Sequence, residues 1–84
     1  MNNLREEIIK AVIGAGNLKL KPEDIKDDKH FVYDYSFNSL SYQILVVNLE
    51  KSLNISIPSE DYQTGYFKSV MGLMIYLEGE LYKK

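Results

Sequence analysis

Between Ser39 and Leu53 the chain runs fifteen residues without a glycine or proline, and its apolar residues recur at helical spacing. With Leu40 as origin and 100° per residue, Tyr42, Leu45, Val46, Leu49 and Leu53 fall between about 140° and 240°, the stripe of a helix facing a core. Leu40, Ile44 and Val47 gather within about 40° of the origin, on the reverse side. Ser41, Asn48 and Ser52 make one polar seam between the faces, Gln43 and Glu50 make the other, and Lys51 stands at the edge of the second apolar face. A helix in a small bundle needs one buried stripe, so the second requires an explanation. Either the helix is central and buried on both sides, or the second face docks partner proteins; a docking face is expected.

The flanking sequence supplies the rest of a bundle. Asn2 or Asn3 caps a first helix in which Leu4, Ile8, Ala11, Val12 and Ala15 share a face, and Gly14, Gly16 and Asn17 are expected to stop it. From Asn17 to Asn38 no long periodicity survives. Leu18, Leu20, Ile25, Phe31 and Val32 nevertheless recur there, with a turn at Pro22-Glu23-Asp24, so a long but anchored loop is expected. Asn54 and Ile55-Ser56-Ile57-Pro58 end the second helix. A short third helix is expected from Ser59 to Gln63, with Ser59 as cap, Glu60 and Asp61 in its first turn and Gly65 beyond its end. The last helix should cover Ser69 to Tyr82, with Val70, Leu73, Met74, Leu77 and Leu81 on its stripe and Gly72 and Gly79 on the opposite face. No strand has a partner strand. The pattern predicts one domain over residues 1–84: all-α, a small four-helix bundle with a long first loop and a short third helix.

Composition then removes whole classes of function. Ten basic against twelve acidic residues leave a net charge of −2, and the lysines are scattered apart from Lys83-Lys84, so no nucleic-acid partner is expected. The longest apolar run is Ile44 to Val47, far too short to span a membrane, and the first residues lack a signal-peptide pattern, so a cytoplasmic monomer is expected. With no cysteine, disulfides, thiolate metal sites and cysteine nucleophiles all drop out. The single histidine, His30, has no nucleophile and acid at useful spacing and reads as structural or exposed. Glu23, Asp24, Asp27 and Asp28 lack the ordered calcium loop with its central glycine and read as a solvated turn. Seven tyrosines without a basic groove read as packing residues rather than base-stacking ones. No catalytic residue and no metal ligand is expected.

One position stands out chemically. Asn38 is a good N-cap, which makes Ser39 the first residue of the long helix. A helix N-terminus exposes backbone N–H groups and the positive end of the dipole, a setting that stabilises an attached phosphate. Taken alone, Asn-Ser at a helix start is an ordinary cap.

The wider pattern carries more. Asp34, then Asn38-Ser39-Leu40, then the helix to Leu53, then Ile57-Pro58 and a Ser-Glu-Asp turn resembles the acyl carrier protein family, and the resemblance runs from Leu4 to Leu81 with Phe31-Val32 as a loop anchor. It implies that Ser39 is esterified by a phosphopantetheinyl transferase drawing on coenzyme A. The covalent 4'-phosphopantetheine arm would then carry acyl or aminoacyl intermediates as thioesters to loading and condensing enzymes. It implies a carrier, not an enzyme. An unmodified helical adaptor with the same fold is the alternative.

The departures from the family pattern are informative. Asn38 replaces the usual acid, Ser36 or Phe37 replaces a common glycine, and Ser41, Ile44 and Lys51 stand where acids are often found. Glu50, Glu60 and Asp61 are what remains of the family's electronegative surface. The expected partner-facing set is therefore Asn38, Leu40, Ile44, Val47, Glu50 and Lys51, with a specialised polyketide or nonribosomal peptide pathway placed ahead of general fatty-acid synthesis. Leu45, Val46, Leu49, Ile57, Val70, Met74 and Leu77 would line any internal shelter for an acyl chain. A solid core is the equal alternative.

Overall fold

The computed structural model describes residues 4–80. Its α1, Leu4–Gly16, buries Ile8, Ile9, Ala11, Val12 and Ala15. The chain then crosses a 3₁₀ turn at Pro22–Asp24 and a five-residue helix, α2, Phe31–Tyr35, before entering α3, Ser39–Leu53. Two further 3₁₀ turns, Ser59–Gln63 and Gly65–Lys68, lead to α4, Val70–Ile75, which continues as a π-helical segment over Tyr76–Glu80. No strand occurs among the described residues. The all-α expectation holds. The expected caps at Asn2 or Asn3, and Leu81 and Tyr82 of the last helix, lie outside the described residues.

One core joins these elements. Leu45, Val46 and Leu49 of α3 pack with Ile8 and Val12 of α1, Ile25 and Phe31 of the long loop, and Val70, Leu73 and Leu77 of the last helix. Tyr42 and Leu53 of the expected core stripe, and Met74 of the last helix, are partly buried against it. The loop is anchored through Ile25 and Phe31, whereas Leu20 and Val32, expected to share that role, are exposed; the anchor has structure of its own. His30 caps α2, its Nδ1 accepting from the N–H groups of Val32 and Tyr33, so the lone histidine is structural. Phe31 is fully buried and stacks on Phe37 at 5.1 Å, and Phe37 meets the edge of Tyr42 at 5.4 Å. A second tie crosses the domain: Arg5 on α1 pairs with Asp27 at 2.7 Å, and the Asp27 carbonyl accepts from the Met71 N–H at 3.0 Å. Of the acidic turn, Asp24 accepts from the Lys21 N–H.

Several boundaries differ from expectation. Gly14 does not stop α1; the helix runs through Gly16 and turns at Asn17, which takes the left-handed conformation (φ 51°) and lets the Leu18 N–H reach the Ile13 carbonyl. The Ser59–Gln63 element is 3₁₀ rather than α-helical, is preceded by Pro58, and has no side-chain cap. Gly72 is not on an open face. A Cβ there would lie 2.6 Å from the Tyr66 carbonyl oxygen, so glycine lets the start of α4 pack directly on the preceding turn. Asp61, expected on an electronegative surface, is 5% exposed.

Candidate functional site

The entrance to α3 is built by two local devices. Ser36 adopts the left-handed conformation (φ 60°) and ends α2, after which the Phe37 N–H donates back to the Phe31 carbonyl at 3.0 Å. Burial of Phe37 then fixes the chain two residues before Ser39. Asn38 is extended, and its Oδ1 accepts from the Ser41 N–H at 3.0 Å and from the Ser41 hydroxyl at 3.1 Å. Ser41 Oγ in turn accepts from the Asn38 N–H at 3.2 Å, a reciprocal capping box. Asn38 therefore acts as the cap the sequence indicates. Ser41, which the sequence marked only as a lost acid, is its partner.

This arrangement places Ser39 at the first helical position with its side chain exposed. The first N–H groups of a helix have no intrahelical partner, so those of Ser39 and Leu40 are donors available beside the hydroxyl. No base is hydrogen-bonded to Ser39 among the described residues. A serine in this setting offers an exposed hydroxyl that an outside base would have to activate.

The second apolar face is open. Leu40 is 62% exposed, Ile44 38% and Val47 45%, so the explanation by burial on both sides fails. Lys51 is also exposed, and the four residues follow one another along a single stripe that begins next to Ser39. Glu50 stands apart from them. It is half-buried, and its carboxylate turns towards the end of α3 and accepts from the Ile57 N–H at 2.8 Å. That carboxylate holds the chain where it leaves the helix and adds little charge to the exposed stripe.

A buried polar contact lies elsewhere, and sequence reasoning missed it. The Tyr76 hydroxyl donates to Asp61 Oδ2, both residues being almost fully buried. Burial first, then the hydrogen bond and the charge of Asp61, push the Tyr76 phenol well above its ordinary value. An acid followed fifteen residues later by a tyrosine gives no local signal. Only the tertiary fold brings them together. A surface groove lined by Arg5, Glu6, Ile9, Lys10, Pro22 and Glu23 includes none of the residues of the α3 entrance.

The structure is a helical scaffold with an exposed serine at a capped helix entrance, an arrangement open to attachment of a group. Residues 7–77 match the family model described as the phosphopantetheine attachment site. An acyl carrier protein of Wolinella succinogenes is 40% identical over 53 residues, which make up 63% of this chain and 68% of that protein. The chain belongs to the acyl carrier protein family. It is accordingly a carrier of covalently attached 4'-phosphopantetheine and not an enzyme. The α3 entrance fits such a group, since it offers an exposed hydroxyl, free N–H groups and the positive end of a fifteen-residue helix to a phosphodiester.

Proposed function

We propose that Ser39 is the attachment serine, and that the protein carries acyl or aminoacyl groups for a specialised polyketide or nonribosomal peptide pathway as a cytoplasmic monomer. One observation carries the assignment: Ser39 is the exposed first residue of the capped α3, within the segment matched by the phosphopantetheine family. The arm, when bound, supplies the terminal thiol on which cargo is held as a thioester, a nucleophile this cysteine-free chain lacks. The chain's own residues do the positioning. Asn38 and Ser41 fix the helix start, Phe31 and Phe37 hold the approach to it, and the free N–H groups stabilise the phosphate. Activation of the Ser39 hydroxyl falls to the phosphopantetheinyl transferase.

Partner choice rests on the exposed stripe. Leu40, Ile44 and Val47 offer apolar contact beside the attachment point, Asn38 borders it, and Lys51 gives its far end a positive charge. The engaged Glu50 contributes through the shape of the helix end. Such a face supports brief apolar contact with loading and condensing enzymes rather than the salt-sensitive attachment of an acidic helix. This favours a dedicated pathway over general fatty-acid synthesis. The Wolinella succinogenes relative is named an acyl carrier protein, which supports an acyl cargo. Incubation with coenzyme A and a promiscuous phosphopantetheinyl transferase should add one arm to the wild type. Ser39→Ala should stay folded and gain no mass. Equal loading of Ser39→Ala would refute the assignment.

A further inference from the structure

Beside the exposed stripe, α1 and α3 form a shallow notch of about 360 Å³ lined by Lys10, Ala11, Asn48, Lys51 and Ser52. On the α3 wheel Lys51 falls at about 20°, between Leu40 and Ile44, and Asn48 and Ser52 follow at about 80° and 120°. The notch therefore adjoins the stripe, with Lys10 and Ala11 of α1 on its other side. The Asn48 amide ties the two sides together by donating to the Ala11 carbonyl at 3.5 Å.

Two ammonium groups from different helices thus line one surface. Lys51 is exposed and makes no ion pair among the described residues. Lys10 stands 3.7 Å from Glu7 with its side chain 68% exposed, a pairing that offsets little of its charge. Glu7 is itself engaged, accepting from the Ser52 hydroxyl at 2.8 Å. Glu50 lies on the far side of the stripe, at about 280°, and turns to the Ile57 N–H. The notch is therefore positive on a chain whose net charge is −2. A carboxylate set there meets both ammonium groups and the second N–H of Asn48, while an apolar neighbour on the same segment covers Leu40, Ile44 and Val47. A free anion would leave the stripe uncovered. We propose that the Lys10–Lys51 notch receives an acidic side chain of the partner enzyme while the stripe takes an apolar one. Exposed ion pairs add little affinity, so the notch selects among apolar docking surfaces rather than supplying their grip. The proposal rests on the stripe being the partner face.

The test follows amide chemical shifts of the unmodified full chain as synthetic helical peptides are added. One peptide carries a leucine stripe flanked by glutamates, a second the same stripe flanked by lysines, and a third the glutamates with serines in place of the leucines. The glutamate–leucine peptide should shift the Ile44, Val47 and Lys51 amides and the Asn48 side-chain amide. In low salt it should bind about fivefold more tightly than the lysine–leucine peptide. The net charge of the chain favours the opposite order, so this preference reads the notch rather than the whole molecule. Replacing both lysines, Lys10→Ala together with Lys51→Ala, should abolish it. Equal or tighter binding of the lysine–leucine peptide to the wild type, or a preference that survives in the double variant, would overturn the proposal. So would notch shifts from the serine peptide or from acetate as large as those from the glutamate–leucine peptide, because they mark a site for free anions. If neither leucine peptide moves the stripe amides, the stripe reading fails and the notch falls with it. If both move them with equal affinity, the stripe stands and the notch alone is refuted.

Discussion

Replacing Asn38 probes the α3 entrance most sharply, because the two obvious substitutions act in opposite directions. Asn38→Ala removes the acceptor for the Ser41 N–H and hydroxyl, at 3.0 and 3.1 Å, and half of the capping box with them. These groups are exposed, so water replaces the lost partner and no buried donor is stranded. The cost is then that of one N-cap, about 1 kcal/mol. In a domain of this size that lowers Tm by about 4–8 °C. Asn38→Asp keeps the acceptor and adds negative charge at the positive end of the dipole, a gain of about 0.3–1 kcal/mol at neutral pH. The gain belongs to a carboxylate whose folded-state pKa is depressed. It is present above about pH 4 and is lost as the pH falls through the folded value. Loading should narrow the difference, since a carboxylate next to the Ser39 phosphodiester meets a like charge. Urea titrations followed by far-ultraviolet circular dichroism, on unmodified and loaded proteins, give the order Asn38→Ala, wild type, Asn38→Asp. An Asn38→Ala variant as stable as the wild type, or an Asn38→Asp variant less stable at neutral pH without the arm, would refute the capping argument.

Other residues give equally directed outcomes. Gly72→Ala should destabilise by about 1–3 kcal/mol, because the new methyl meets the Tyr66 carbonyl oxygen at 2.6 Å, whereas Gly79→Ala, with nothing within 4 Å, should be neutral or mildly stabilising; thermal melts of the pair read both signs. The Tyr76 phenol has a raised folded-state pKa, so its contribution is full below about pH 10 and is lost as the pH rises further; stability should fall in that alkaline range, less steeply in Tyr76→Phe, as urea midpoints against pH will show. Ile44→Glu places a charge in the exposed stripe and should weaken binding to the native loading or condensing enzyme by about tenfold or more, while moderate salt leaves wild-type binding little changed; calorimetry in low and moderate salt measures both.

The long helix was legible because nothing competes with its period: no glycine, no proline, and a polar cap, Asn38, just before its first residue. Its two faces could be separated on paper, and the exposures of Leu40, Ile44 and Val47 follow that separation. The short helix α2 was not legible. Its five residues, four of them aromatic or β-branched and the other Asp34, carry no helical period, and they are held by a histidine cap and a left-handed serine rather than by the usual Asp and Gly signals. The Gly72 packing was hidden for a different reason. Helical-wheel geometry places it opposite the apolar stripe, but the neighbour there is the backbone of the preceding turn, which no hydropathy pattern records. Asp61 shows the same limit. Acids in a first turn read as solvated, whereas Tyr76, arriving from the last helix, donates its hydroxyl to this buried one. Glu50 has the sequence setting of a surface charge, yet the turn at Asn54 brings the Ile57 N–H back to it.

The central claim is the position of the attachment, and three serines, Ser36, Ser39 and Ser41, lie within six residues of one another at the α3 entrance. Their settings differ: Ser36 ends α2 in a left-handed turn, Ser41 is engaged in the capping box, and Ser39 alone combines exposure with the first helical position. Tandem mass spectrometry of the transferase-loaded wild type, fragmenting the peptide that spans all three, tests the claim directly. The account predicts a single phosphopantetheine on Ser39. A modification localised to Ser36 or Ser41, or an unmodified peptide after loading that succeeds on a control carrier, would contradict it.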